Sequence, residues 1–160
     1  MNEFLPDENE VLIVIRYHII FSTKKRQPLI RPEIQKECWK IIRDAIRNVK
    51  SSPTAVGGSA NHVHLLIDQN AENIGVSLDN LITEIKRTSA SQIRSSIPGC
   101  ADFGWQDDYI AVGFSIIQEP DLVDHILNQN EYHKTTTFKE EVLSLLDEYK
   151  IEYDKDEVFD

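Results

Sequence analysis

The sequence predicts an α+β fold: one antiparallel sheet of four strands in the order βαββαβ, with helices on one face and further helices at the C-terminus. Two patterns carry that prediction. Short runs rich in β-branched and aromatic residues alternate with longer stretches of helical period, and Pro or Gly punctuates the joins. The third observation is NHVHLLID, residues 61–68, which alternates between two kinds of side chain and so reads as a strand with two chemically different faces.

Val11 to Ser22 (VLIVIRYHIIFS) reads as the first strand. Arg31-Pro32 opens a helix, with Pro in the first turn and Ile34, Cys38, Ile41, Ile42, Ala45 and Ile46 at helical spacing. Ser51-Ser52-Pro53 stops it. Thr54 to Val56 is a short strand, Gly57-Gly58 a turn, and Asn61 to Asp68 the returning strand of a hairpin. Val76 to Ile97 is amphipathic, with Leu78, Leu81, Ile82, Ile85 and Ile93 inward, and Pro98-Gly99 ends it. Ile110 to Ile117 (IAVGFSII) is the fourth strand. Pro120 starts a helix carrying Leu122, Val123, Ile126 and Leu127, and Phe138 to Tyr149 is the last helical piece. This order is the ferredoxin-like split arrangement, which leaves the second face of the sheet open for a ligand or partner.

At 160 residues the chain is most simply one domain spanning 1–160. No apolar run is long enough to cross a bilayer, and the acidic start (MNEFLPDENEV) is unlike a signal peptide. Cys38 and Cys100 lie far apart with no CxxC spacing, which argues against a disulfide framework or a zinc knuckle and for a reducing cytoplasm. The net charge of −10 speaks against a nucleic-acid partner, but its distribution does not. Residues 11–50 carry ten Lys/Arg against three Asp/Glu, whereas residues 101–160 carry four against sixteen. Such a split points to a polyanion-binding face beside an acidic region. Lys36, Lys40, Arg43 and Arg47 read as the solvated side of a helix; Lys24, Lys25 and Arg26 differ in being consecutive and directly after a strand.

His62 and His64 project together from one face of their strand, roughly 6.6 Å apart. Val63, Leu65 and Ile67 project from the other. Two imidazoles at that spacing can chelate a divalent metal, though a chance pair on a half-exposed strand has the same pattern.

Six segments in order, YHIIFSTKKRQPLI, GGSANHVHLLI, LITEIKRTSASQIR, WQDDYIAVGFSI, ILNQNEYHKTTTFKEEVLSLL and IEYD, are far more specific than the histidine pair. Through them the chain resembles, over nearly its whole length, the small single-tyrosine HUH transposases of bacterial insertion sequences and their REP-associated relatives. The resemblance implies that His62, His64 and Gln129 hold a divalent cation, magnesium or manganese. It further implies single-stranded or hairpin DNA as partner and a homodimer as the assembly. The cation polarises the scissile phosphate. A tyrosine one helical turn before the glutamine attacks, leaving a 5′-phosphotyrosine and a free 3′-OH.

At that tyrosine position the chain has His125. Three readings stand. The protein binds DNA without cutting it, as a lapsed or domesticated relative; or Tyr132, near the same helical face, replaces the nucleophile; or His125 itself acts, as nucleophile or as a further ligand. A set of His62, His64, His125 and Gln129 suits zinc better than magnesium. For DNA contact, Lys24, Lys25, Arg26, Lys86 and Arg87 are the phosphate candidates, and Trp105 and Tyr109, with Gln106 between, the candidates for stacking on unpaired bases. Core packing accounts for Trp105 equally well. Two rivals belong to other classes. An RNA-binding module of the same fold needs a basic-Gly-aromatic strand motif, which is absent. A zinc-dependent hydrolase needs a third strong ligand and a nearby carboxylate, for which Asp68 is distant.

Overall fold

The computed structural model describes residues 12–157. Its strands are β1 (Val14–Ser22), β2 (Ser52–Gly58), β3 (His62–Asn70) and β4 (Ile110–Gly113). The helices are α1 (Gln35–Asn48), α2 (Leu78–Ser96), α3 (Glu119–Leu127), α4 (Gln129–Tyr132) and α5 (Phe138–Glu148). The strands pair antiparallel in the order β2-β3-β1-β4, the ferredoxin-like arrangement expected. Residue 11, the predicted start of the first strand, lies outside the described residues.

The register explains the two faces. Ile19, Phe21, Val63, Leu65 and Ile67 point to the side where α1 supplies Ile42, Ala45 and Ile46 and α2 supplies Leu81, Ile82 and Ile85. These twelve buried side chains, with Val56 among them, form the main core. Ser22 pairs with His62, Ile20 with His64 and His18 with Leu66, so those residues share the opposite face.

That second face is closed, contrary to the sequence expectation. Helix α3 lies across β2 and β3, with Ile126 packed against Ala55 and Leu66 and with Leu122, Val123 and Phe114 around them. Gly57 and Gly58, expected as a turn, are the last residues of β2. A Cβ on Gly57 would collide with the backbone carbonyl of Ile126, so the missing side chain is what lets α3 approach the strand this closely. The turn itself is Ser59–Asn61, closed by Ser59 N–H donating to the His62 carbonyl (3.1 Å). The fourth strand stops at Gly113, four residues short of the predicted Ile117, because residues 114–118 turn into α3. Helix α5 begins at a capping box in which Thr137 accepts from the Glu140 N–H and Glu140 accepts from the Thr137 N–H. That cap fixes the first turn of α5, and with it the carboxylate of Glu141.

Candidate metal centre and nucleic-acid groove

All five histidines of the chain meet on the covered face of the sheet. Strand β3 contributes His62 and His64, both fully buried, and β1 contributes His18 beside them. The C-terminal turn of α3 brings His125, Gln129 opens α4, and His133 follows its end. Glu141 reaches in from α5 and sits at the middle.

The distances define one network. Glu141 Oε1 lies 3.0 Å from His64 Nε2, 3.5 Å from His133 Nε2 and 3.6 Å from His62 Nε2. Its Oε2 accepts from His125 Nε2 (2.6 Å) and from Gln129 Nε2 (2.8 Å). Gln129 Oε1 is 2.8 Å from both His62 Nε2 and His133 Nε2, which are 3.2 Å from each other. On the far side of the pair, His18 Nε2 meets His64 Nδ1 at 2.8 Å. Phe138 stacks on the His62 ring, with centroids 3.9 Å apart, and caps the cluster.

Burial sets the charges. Loss of water pushes His62 and His18 down to about 3, reinforced by His64, so both are neutral at pH 7. Burial alone raises the Glu141 carboxyl, but hydrogen bonds from His125, His64 and Gln129 outweigh it and hold the group below the ordinary carboxylate range. The result is a buried anion among lone pairs. Converging imidazole nitrogens, a carboxylate oxygen and an amide oxygen suit a divalent cation.

The predicted residues are distributed as follows. His62, His64, Gln129 and His125 come together at the cluster. Tyr132 lies against it, its ring edge-on to His125 at 4.6 Å, but its hydroxyl is bonded to Thr136 and burial, with Glu141, keeps its ionisation above the ordinary value. Three residues the sequence reading missed complete the site: His18, His133 and Glu141. His18 was legible in the alternation of YHIIFS, two residues before Ile20 on the same face. His133 was legible as the next position in the four-residue spacing of His125 and Gln129, whereas Glu141 carried no spacing signal, because the docking of α5 is not local.

A separate groove of about 540 Å³ gathers Lys24, Lys86, Arg87, Trp105 and Gln106, and adds Arg94. Lys86 donates to the carbonyls of Asp107 and Asp108 (both 3.1 Å), and Arg87 is paired with Glu84. Lys25 and Arg26 take left-handed backbone conformations (φ 55° and 52°), which turns the three consecutive cations apart. Lys24 faces this groove while Arg26 faces an apolar pocket beside α5. Trp105 is held edge-on between Phe21 and Phe103, with its indole N–H on Ser89 Oγ (3.0 Å). Tyr109 lines the second pocket rather than the first, its hydroxyl on Asp79 (2.8 Å).

No helix among the described residues is long and apolar enough to cross a membrane. No curated protein matches the sequence. Two solved structures share the fold. A protein of Deinococcus radiodurans described as a transposase is 20% identical, with a TM-score of 0.59 over 78% of this chain and 98% of that one. A REP-associated tyrosine transposase, solved bound to a REP hairpin, is 15% identical, with a TM-score of 0.55 over 98% of this chain and 93% of its own. The family model described as transposase, IS200 like, matches residues 12–129, from the start of the sheet to the glutamine of the histidine cluster, and the chain belongs to that family.

Proposed function

We propose that this chain binds hairpin-containing single-stranded DNA and does not cut it. One observation carries the second half. Where the resemblance calls for a phenol, one turn before Gln129, the side chain is His125, and it is engaged with Glu141 at 2.6 Å. Removing a nucleophile ends this kind of catalysis even when the rest of the constellation stands. The cation, magnesium or manganese by resemblance or zinc by donor set, supplies electrostatic stabilisation to a phosphate when it is bound.

DNA binding is assigned to the groove of Lys24, Lys86, Arg87 and Arg94, where Gln106 offers a polar edge to a base. Four phosphate contacts on a single strand predict a log–log salt slope of about −3, so affinity falls roughly fiftyfold between 50 and 200 mM salt. Gel retardation of hairpin DNA from the protein's own locus checks that slope. Denaturing electrophoresis of the same mixtures should show no covalent adduct in magnesium or manganese. His125→Tyr should gain one. An adduct formed by the unaltered protein and lost in Tyr132→Phe would overturn the reading and make Tyr132 the nucleophile.

A further inference from the structure

The polar atoms of the histidine cluster converge on one point that suits a cation. His133 Nδ1 lies 2.7 Å from the carbonyl of Thr136, and a carbonyl only accepts, so that nitrogen carries the proton. His133 Nε2 is then the nitrogen that faces the cluster, 2.8 Å from Gln129 Oε1 and 3.2 Å from His62 Nε2. Gln129 is oriented just as firmly, because its Nε2 faces the Glu141 carboxylate and must donate to it, which turns its Oε1 toward His133 and His62. His62 Nδ1 is held by Asn61 Oδ1 at 2.8 Å and Ser59 Oγ at 3.1 Å, which fixes the ring with its Nε2 toward the centre. Two imidazole nitrogens, an amide oxygen and a carboxylate oxygen thus converge in a buried place, with pairs 2.8–3.6 Å apart, and form a donor set for a divalent cation. Imidazoles that bind a metal through one nitrogen and donate the other N–H to a carbonyl are how such ligands are ordinarily held.

The spacing selects the kind of cation. Donors about 2.0–2.1 Å from an ion lie about 3.3–3.4 Å apart at tetrahedral corners and about 2.9 Å apart at adjacent octahedral ones. The pairs among His62 Nε2, His133 Nε2 and Glu141 Oε1 are 3.2, 3.5 and 3.6 Å apart, near the tetrahedral spacing, whereas Gln129 Oε1, 2.8 Å from both imidazole nitrogens, stands too close to them for a tetrahedral corner. We propose that His62, His133 and Glu141 are three ligands of a tetrahedral transition-metal centre of the zinc type, and that the ion ties the end of α4 and the first turn of α5 to the sheet. His133 and Glu141 both lie beyond residues 12–129, so two of the three ligands come from outside the stretch that the family model matches. His64 is then a positioning residue, donating to Glu141 Oε1 at 3.0 Å while His18 meets its other nitrogen.

This deepens the cation part of the proposed function and is independent of DNA binding. The test uses the full chain stripped with a chelator and titrated calorimetrically with zinc alone or magnesium alone. One zinc should bind per chain, at least about a hundredfold more tightly than magnesium. Cobalt in its place should give the intense visible absorption of tetrahedral rather than octahedral coordination, and zinc should slow amide exchange in residues 129–148. His133→Ala and Glu141→Gln should each weaken zinc by more than about a hundredfold, while His64→Ala, which removes only a hydrogen bond to a ligand, should cost about tenfold. Circular dichroism of the stripped variants reports whether each folds, and Glu141→Gln, close in shape, preserves the test if the alanine variant does not. Zinc retained by both ligand variants but lost in His64→Ala would overturn this ligand set and leave the DNA reading standing. An unaltered chain that takes up no zinc, or prefers magnesium, would overturn it too. Zinc bound as expected with no retardation of hairpin DNA would overturn the DNA reading alone.

Discussion

His125 is part of the scaffold of a buried network: its imidazole anchors the oxygen of Glu141 that Gln129 also holds. Its neighbours give the cluster a pH signature. His62 and His18 are held near pH 3 in the folded chain, against 6.5 for an exposed imidazole. Between those values the unfolded chain binds protons that the folded one refuses, so stability rises with pH through that window. Glu141 acts in the same direction lower down: its folded carboxyl stays ionised below the ordinary range, and the stability it adds is lost as acid protonates it. Chelated protein should therefore lose stability steadily from about pH 6.5 downward, as denaturant midpoints will show. A midpoint that stays flat down to pH 4 would mean the two histidines are charged or exposed in the fold.

At the scale of elements, the sheet and its two long helices were legible because their signals are local. Alternation in NHVHLLID and the 3.6-residue period of α1 and α2 need no knowledge of the rest of the chain. The cover over the histidine face was not legible, since the docking of α3 and α5 depends on what the sheet presents to them. Gly57 is the clearest case. Read locally, Gly57-Gly58 is a turn; in the fold it is the flat place on β2 that admits the α3 backbone. Gly57→Ala must push Ile126 outward and should cost about 1–3 kcal/mol by overpacking. Because α3 carries His125 and leads into Gln129, the shift should also weaken metal uptake. Thermal denaturation and zinc titration of the same variant check both effects, whereas Gly75→Ala, with open space around it, should be neutral in both. The same reasoning shows why Glu141 escaped the sequence reading: it is an ordinary residue of an amphipathic segment until α5 folds back.

For the whole molecule, the two edges of the sheet differ in a way that bears on assembly. The β2 edge is blunted by Pro53, which has no N–H to offer, and by a register shift between Pro53 and Ala55. The β4 edge carries neither a proline nor a register shift, and among the described residues its cap is the Tyr149 hydroxyl on the Gly113 carbonyl (2.8 Å). It pairs with β1 on one side only, and beyond its last residue Ile116 and Ile117 are 58% and 86% exposed. An edge without proline or bulge next to apolar side chains is a surface that a second chain covers well, through added strand pairing and through burial. We therefore expect a homodimer built on β4, as the resemblance also implies. Sedimentation at micromolar concentration should give twice the 18.4 kDa chain mass. Ala111→Pro should shift it to monomer, because proline on a pairing strand removes a donor. To separate loss of pairing from loss of the fold, Ile117→Lys places a charge on the patch without touching the β1–β4 ladder, and should weaken the dimer while circular dichroism stays unchanged. A protein that sediments as a monomer at micromolar concentration would sink the proposal, and Pro53 would then protect an edge no more exposed than its opposite.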